Sequence, residues 1–168
     1  NSATETIIRL LDMGMDPFNF ADSLLGVMGQ RLVRRLCSAC ANHQPASAAQ
    51  IEEWVSEHQL ASGLEQTLDA DALIAKWQRQ FGRDGVLHHH QALGCKACEG
   101  TGFKGRLGLH EWLLIDAPMR ALIQARPSVM ALRHCAAEQG MQTLGQDGIQ
   151  KTLQGLTSLD EVRASCLH

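Results

Sequence analysis

The sequence predicts an α+β fold with a small cysteine-bearing module, and three observations carry that reading. Helix start and stop signals recur along the chain, two stretches alternate as strands do, and four of the six cysteines fall in two C-x-x-C pairs. At 168 residues the chain has material for one ordinary core, or a core plus a small module, which excludes a multidomain enzyme. With 45% hydrophobic and 20% charged residues the composition is globular rather than disordered. No stretch approaches the roughly 18–20 uncharged apolar residues of a membrane-spanning helix, and nothing marks a secretory signal. The opening Asn-Ser-Ala without a Met leads us to expect a longer parent chain.

The elements follow in order. Ser2 with Glu5 makes a capping-box pattern, and Ile7, Ile8, Leu10 and Leu11 follow before Gly14, so a short helix is expected there. Asp16-Pro17 restarts a helix, with Asp as N-cap and Pro at its first position, through Phe18, Phe20, Ala21, Leu24 and Leu25. Leu24, Met28, Leu32 and Leu36 then recur every four residues, yet 30–36 also alternates as a strand would. Periodicity leaves both readings open. Residues 39–48 are small and polar; Ile51, Trp54, Val55 and His58 predict a helix, and another is expected over about 69–81, closed by Gly82-Arg83-Asp84-Gly85. His88-His89-His90 reads as a solvated loop. Residues 106–115 read as a strand, and helices are expected over about 117–126, 128–139, 143–154 and 158–167, the last with Ser158 as N-cap and Glu161 at N3.

Charge narrows the function classes. The net charge is −3, and residues 50–85 carry seven acids against three bases, so the footprint of a nucleic-acid binder is missing. Tyr is absent and Phe plus Trp number seven, leaving few aromatics to stack bases. No nucleic-acid partner is expected.

The cysteines point to a metal. Cys37-Ser-Ala-Cys40 and Cys95-Lys-Ala-Cys98 are two knuckles, while Cys135 and Cys166 stand alone in helical patterns. Four thiolates paired in this way fill the tetrahedral shell of one Zn2+, because each knuckle turns tightly enough to aim two sulfurs at one point. Disulfides are disfavoured in a chain with this much core and no signal peptide. The alternative is two unrelated buried or redox pairs, since 54 residues (41–94) separate the knuckles. Neither pair sits between a predicted strand and helix of a βαβ unit, as a redox motif would. The histidine run offers other ligands, but four thiolates already satisfy zinc.

Three motifs fail on context. Gly100-Thr-Gly102-Phe-Lys-Gly105 matches G-x-G-x-x-G but enters a strand instead of opening a helix. His110-Glu111 begins H-E-x-x-H, but position 114 is Leu. No G-x-x-x-x-G-K-[ST] occurs, so the chain lacks the backbone cradle and lysine that hold ATP phosphates.

Several spaced segments then carry a resemblance. They are Asn1-Ser-Ala-Thr-Glu-Thr-Ile-Ile-Arg-Leu-Leu-Asp-Met-Gly-Met-Asp-Pro-Phe18, Gly29-Gln-Arg-Leu-Val-Arg-Arg-Leu-Cys-Ser-Ala-Cys40, and Gly94-Cys-Lys-Ala-Cys-Glu-Gly-Thr-Gly-Phe-Lys-Gly-Arg-Leu-Gly-Leu-His-Glu111. With Asp147-Gly-Ile-Gln-Lys151 and Gly155-Leu-Thr-Ser-Leu-Asp-Glu-Val162, they resemble the C-terminal half of the traffic ATPases of type II secretion and type IV pilus assembly, the GspE/PilB family. The resemblance covers nearly all of the chain outside about 42–92.

The resemblance implies that residues 1–36 are a remnant of a RecA-like ATPase core, 37–105 an inserted tetracysteine zinc-binding module, and 106–168 a strand plus a C-terminal helical subdomain. It makes 30–36 and 106–115 antiparallel neighbours, with the module hanging from their ends. ATP and Mg2+ would be cofactors only of the full-length parent, whose Walker A and Walker B elements lie upstream, and this part of it would be non-catalytic. The implied partners are other protomers of a hexameric ring and inner-membrane secretion or pilus platform proteins, at a cytoplasmic location peripheral to the inner membrane. Zinc at Cys37, Cys40, Cys95 and Cys98 would be structural. Arg106 would lie near the nucleotide in the parent; the plainer reading pairs it with an acid such as Glu111. A second resemblance, of Cys95-Lys-Ala-Cys-Glu-Gly-Thr-Gly102 to the zinc repeats of DnaJ-type chaperones, implies a peptide-binding module instead, although those proteins use several repeats and this chain has one. A zinc-ribbon nucleic-acid adaptor is weakened by the acidic balance.

Overall fold

Most of the expected helix starts are used. In the computed structural model, which describes residues 2–65 and 69–166, the Ser2 side chain accepts from the Glu5 N–H while the Glu5 carboxylate takes the Ser2 N–H, and α1 runs Ala3–Asp12. Asp16 caps α2, Pro17–Ser23, which stops short of the expected Leu24 and Leu25. Leu24 is already extended, and the backbone passes into β1, Gly26–Leu36. The recurrence at every fourth residue is therefore not a helix face: Met28 and Leu32, which a helix would have buried with Leu36, stay exposed.

β1 pairs with β4, Phe103–Leu114, in a two-stranded sheet. The Ile115 N–H donates to Leu25 O at 3.1 Å and the Cys37 N–H to Gly102 O at 2.9 Å, so the strands run antiparallel. This is the pairing expected of 30–36 and 106–115. Beyond it lies a second ladder, β2, Ala41–Pro45, against β3, His88–Ala92, antiparallel with Ala41 opposite Ala92 and Pro45 opposite His88. Here the expectation of a solvated histidine loop is corrected. The strand was illegible because its buried side is not an apolar stripe: His89 stacks on Trp54, ring centroids 6.3 Å apart.

Between β2 and β3 stand α3, Ala48–Ser62, with a Ser47–Gln50 capping box, and α4, Ala70–Phe81, capped by Asp69. After β4 come α5, Ala117–Gln124, α6, Val129–Glu138, α7, Leu144–Leu153, and α8, Leu159–Cys166. The final residue of the expected helix over 158–167 and residue 1 of the first quoted segment lie outside the described residues. The fold is α+β, and among the described residues no helix is long and apolar enough to cross a membrane.

Two compact units divide the chain. The first comprises Asn1–Gln30 and His110–Leu144, and its core joins Ile7 and Leu11 of α1 with Phe20, Leu113, Met119, Ile123 and Leu132. Buried Glu111 ties it together: one carboxylate oxygen accepts from the Ala3 N–H at 2.5 Å and the other from the Leu144 N–H at 3.3 Å, so a charge caps the start of α1.

The second unit comprises Arg31–Leu109 and Gly145–His168. Its core is Trp54, Val55, Trp77, Leu87, Ile149 and Leu153. Helices α7 and α8 meet where Gly148 faces Val162; a Cβ on Gly148 would stand 2.5 Å from Val162 Cγ1. Glu161, expected to complete a capping box, instead turns its carboxylate to Arg34, whose backbone N–H and guanidinium both donate to it, while its own N–H reaches the Ser158 hydroxyl at 3.4 Å. The Leu36 N–H to Leu156 O bond at 2.9 Å and the Thr157 hydroxyl to Arg34 O bond at 2.8 Å complete the attachment of β1 to the α7–α8 loop. The end of β1 is thereby fixed, and the cysteines follow it directly.

Candidate metal centre

The first knuckle begins where β1 ends and the second closes just before β4 begins, so the chain passes the same level twice. Going out it reads β1, Cys37–Cys40, β2; coming back it reads β3, Cys95–Cys98, β4. Two antiparallel ladders thus bracket the knuckles from both sides, which brings together sulfurs separated by residues 41–94 in the sequence. The four Sγ atoms all lie within 4.8 Å of one another, and among the described residues this is the one such group of three or more ligands. Cys37 Sγ is 4.0 Å from Cys95 Sγ, Cys40 Sγ is 3.8 Å from Cys98 Sγ, and Cys95 Sγ is 3.8 Å from Cys98 Sγ. A tetrahedral ion with Zn–S bonds of about 2.3 Å sets its sulfurs about 3.8 Å apart. The residues present therefore fit zinc.

Local backbone makes the second knuckle possible. The Cys98 N–H and the Gly100 N–H both donate to Cys95 O, at 3.2 and 2.9 Å, and Glu99 and Gly100 both take positive φ. Gly94 and Gly102 are required by close approach: a Cβ on Gly94 would collide with Gly100 O, and one on Gly102 would lie 2.5 Å from Ala92 Cβ. The glycine run that resembles a dinucleotide fingerprint thus serves the knuckle.

The sulfurs do not share charge evenly. Burial pushes the Cys98 thiol up, but the N–H groups of Cys95 and Gly102, at 3.1 and 3.2 Å from its sulfur, outweigh burial and bring it down to about 6. Burial, and then hydrogen bonding to Cys95, pushes Cys40 up to about 12. A preformed thiolate at Cys98 beside a Cys40 thiol that resists ionisation is an arrangement that a divalent cation completes. A metal ion held by four cysteine ligands would have no coordination position open for water or substrate.

Elsewhere, Arg106 is exposed on β4, and among the described residues no carboxylate lies within 4 Å of it. Glu111 uses both carboxylate oxygens on the backbone of Ala3 and Leu144. Sequence reasoning missed that capping role, and its only signal was a lone acid in an inward-facing strand position.

A family model described as "Type II/IV secretion system protein" matches residues 1–164. The chain belongs to this family. Among curated relatives, it is 35% identical over its whole length to "Type IV pilus assembly ATPase PilB" of Thermus thermophilus, of which it spans 16%. It is 37% identical over 96% of its length to "Type II secretion system protein E" of Pectobacterium carotovorum, spanning 27% of that protein. It is 34% identical over 96% of its length to "Type II secretion system ATPase E" of Vibrio cholerae, again spanning 27%. The chain thus covers between about a sixth and about a quarter of these members of the secretion family, and the full-length match to the pilus ATPase includes the interval 42–92. The peptide-binding chaperone alternative gains no support from these matches.

Proposed function

We propose that this chain is the zinc-bearing C-terminal portion of a hexameric motor ATPase that powers type II secretion or type IV pilus assembly. The observation that carries the reading is the coincidence of a family match across the chain with a four-sulfur cluster of tetrahedral dimensions at the join of two ladders. Cys37, Cys40, Cys95 and Cys98 would hold Zn2+, which supplies a cross-link worth on the order of 10 kcal/mol to a module with a thin core. The protein's own part is to present the sulfurs: the N–H groups of Cys95 and Gly102 keep Cys98 as a thiolate, and Cys37 is held at the end of β1 by Gly102.

In this reading the RecA-like core, of which 1–36 is a remnant, binds ATP and Mg2+ only in the full-length protein, and the portion described here transmits movement. The other protomers of the ring and platform proteins of the inner membrane are its partners, at the cytoplasmic face. Arg106, exposed on β4, would face the nucleotide of the assembled motor, where a guanidinium steadies phosphate charge.

The test compares the chain with the full-length protein that contains it. The chain alone is expected to hydrolyse no ATP, and the full-length protein to hydrolyse it. Arg106→Ala there is expected to lower turnover at least about tenfold, or roughly 1.4 kcal/mol of barrier, at unchanged zinc content. ATP turnover by the chain alone, abolished by a point substitution within it, would overturn the reading.

A further inference from the structure

We propose that His43, His88 and His90 form a second metal site, which takes a divalent transition-metal ion through imidazole nitrogens. The β2–β3 register sets His43 directly opposite His90, with His88 two residues away along β3. Because side chains alternate across a strand, these three share one face, while His89 turns to the other and stacks on Trp54. The ring centroids of His43 and His88 are 5.8 Å apart, and those of His43 and His90 are 6.1 Å apart. An ion bound at about 2.0–2.1 Å to imidazole nitrogen sits about 3.2 Å from each ring centre, so two ligating rings stand roughly 5–6 Å apart. The backbone already supplies that spacing. Side-chain rotation alone has to gather the nitrogens, since among the described residues only the four sulfurs converge as they stand.

The surroundings prepare two of these rings. His88 Nδ1 lies 3.0 Å from Val86 O. Donation to that carbonyl leaves the Nε2 lone pair outward, the orienting bond that metal-binding histidines make. His90 lies against Gly155, where a Cβ would come within 2.5 Å of its Nδ1, so the glycine makes room for the ring.

The third ring has a competitor. The Arg83 guanidinium stands 2.7 Å from His43 Nε2 and donates to it, which marks an accepting lone pair on this face. Arg83 is exposed, and among the described residues no carboxylate lies within 4 Å of it, so it is free to swing away. Imidazole donors select zinc, copper, nickel or cobalt over magnesium and calcium. Three protein ligands leave a fourth position open, in contrast to the closed sulfur site.

The experiment titrates Ni2+ by calorimetry into the full chain carrying one equivalent of zinc, with zinc measured before and after to verify that only the sulfur site is filled and stays so. One further equivalent is expected to bind. His43→Gln and His90→Gln are each expected to weaken it at least about tenfold, Arg83→Ala to tighten it, and His134→Gln, at an exposed position on α6, to leave it unchanged. No further equivalent, or one that binds undiminished in the His43→Gln, His90→Gln double variant, would overturn the site. His43 is exposed, so its substitution leaves folding intact as a reference.

Discussion

The backbone N–H of Cys37 donates to Gly102 O at 2.9 Å, and Gly102 in turn gives its own N–H to Cys98 Sγ at 3.2 Å. One glycine therefore links the two knuckles from opposite strands. Its φ of +76° and its contact with Ala92 leave no room for a side chain. Gly102→Ala is expected to destabilise the second unit by about 2–4 kcal/mol, from the strained backbone and the overpacked contact together. It should also weaken metal binding, as chelator competition would record. An unchanged zinc affinity would place the link elsewhere.

Glu111 gives a second expectation. Replacing it with Ala removes the acceptor for two backbone N–H groups and leaves both buried, at a cost of about 2–4 kcal/mol in the first unit. Glu111→Gln keeps one oxygen and should cost less than half as much. Urea unfolding followed by amide exchange in α1 and α5 reads the difference. A shift confined to the second unit would contradict the assignment.

How much of this was legible follows from where each signal sits. Capped helices such as α1 and α4 announce themselves because Ser2 and Asp69 act on N–H groups three residues away. The knuckles are equally local. β2 and β3 were not legible, because Asn42, His43 and Gln44 carry no apolar stripe and pair only with residues more than forty positions on. Glu111 was illegible for the same reason: its partners, Ala3 and Leu144, lie 108 and 33 residues away. The spacing from Leu24 to Leu36 left helix and strand both open, and the ladder with β4 settles it as a strand over Gly26–Leu36.

A pH dependence follows from His58. It is buried edge-on to Trp77, ring centroids 5.4 Å apart, and among the described residues its Nδ1 has no hydrogen-bond partner. Burial, with Lys76 adding to it, pulls the imidazole down from 6.5 to about 4. The folded state thus resists a proton that the unfolded state accepts. Stability is full above about pH 6.5 and is lost as the pH falls towards 4, by up to about 3 kcal/mol. His58→Leu is expected to flatten this part of the curve and to leave stability at pH 7 equal or higher. Denaturant midpoints of both proteins between pH 4 and 7.5 test it, since zinc release affects them alike.

The α7–α8 contact predicts a compensating pair. Gly148→Ala forces a methyl group against Val162 and should cost about 1–3 kcal/mol. Val162→Ala opens a cavity and should cost a similar amount. Together they are expected to cost less than the sum, because each relieves the other. Strict additivity in thermal unfolding would mean that the two helices meet differently.

The central claim is a closed metal site made of the sulfurs of Cys37, Cys40, Cys95 and Cys98. X-ray absorption at the zinc edge, on the purified chain with its metal content measured in parallel, tests it most directly. The expected result is one zinc per chain with four sulfur neighbours at about 2.3 Å, lost when Cys37 and Cys95 are both changed to Ser. A chain without metal after mild purification, or four-sulfur coordination that survives the Cys37→Ser, Cys95→Ser substitution, would contradict it.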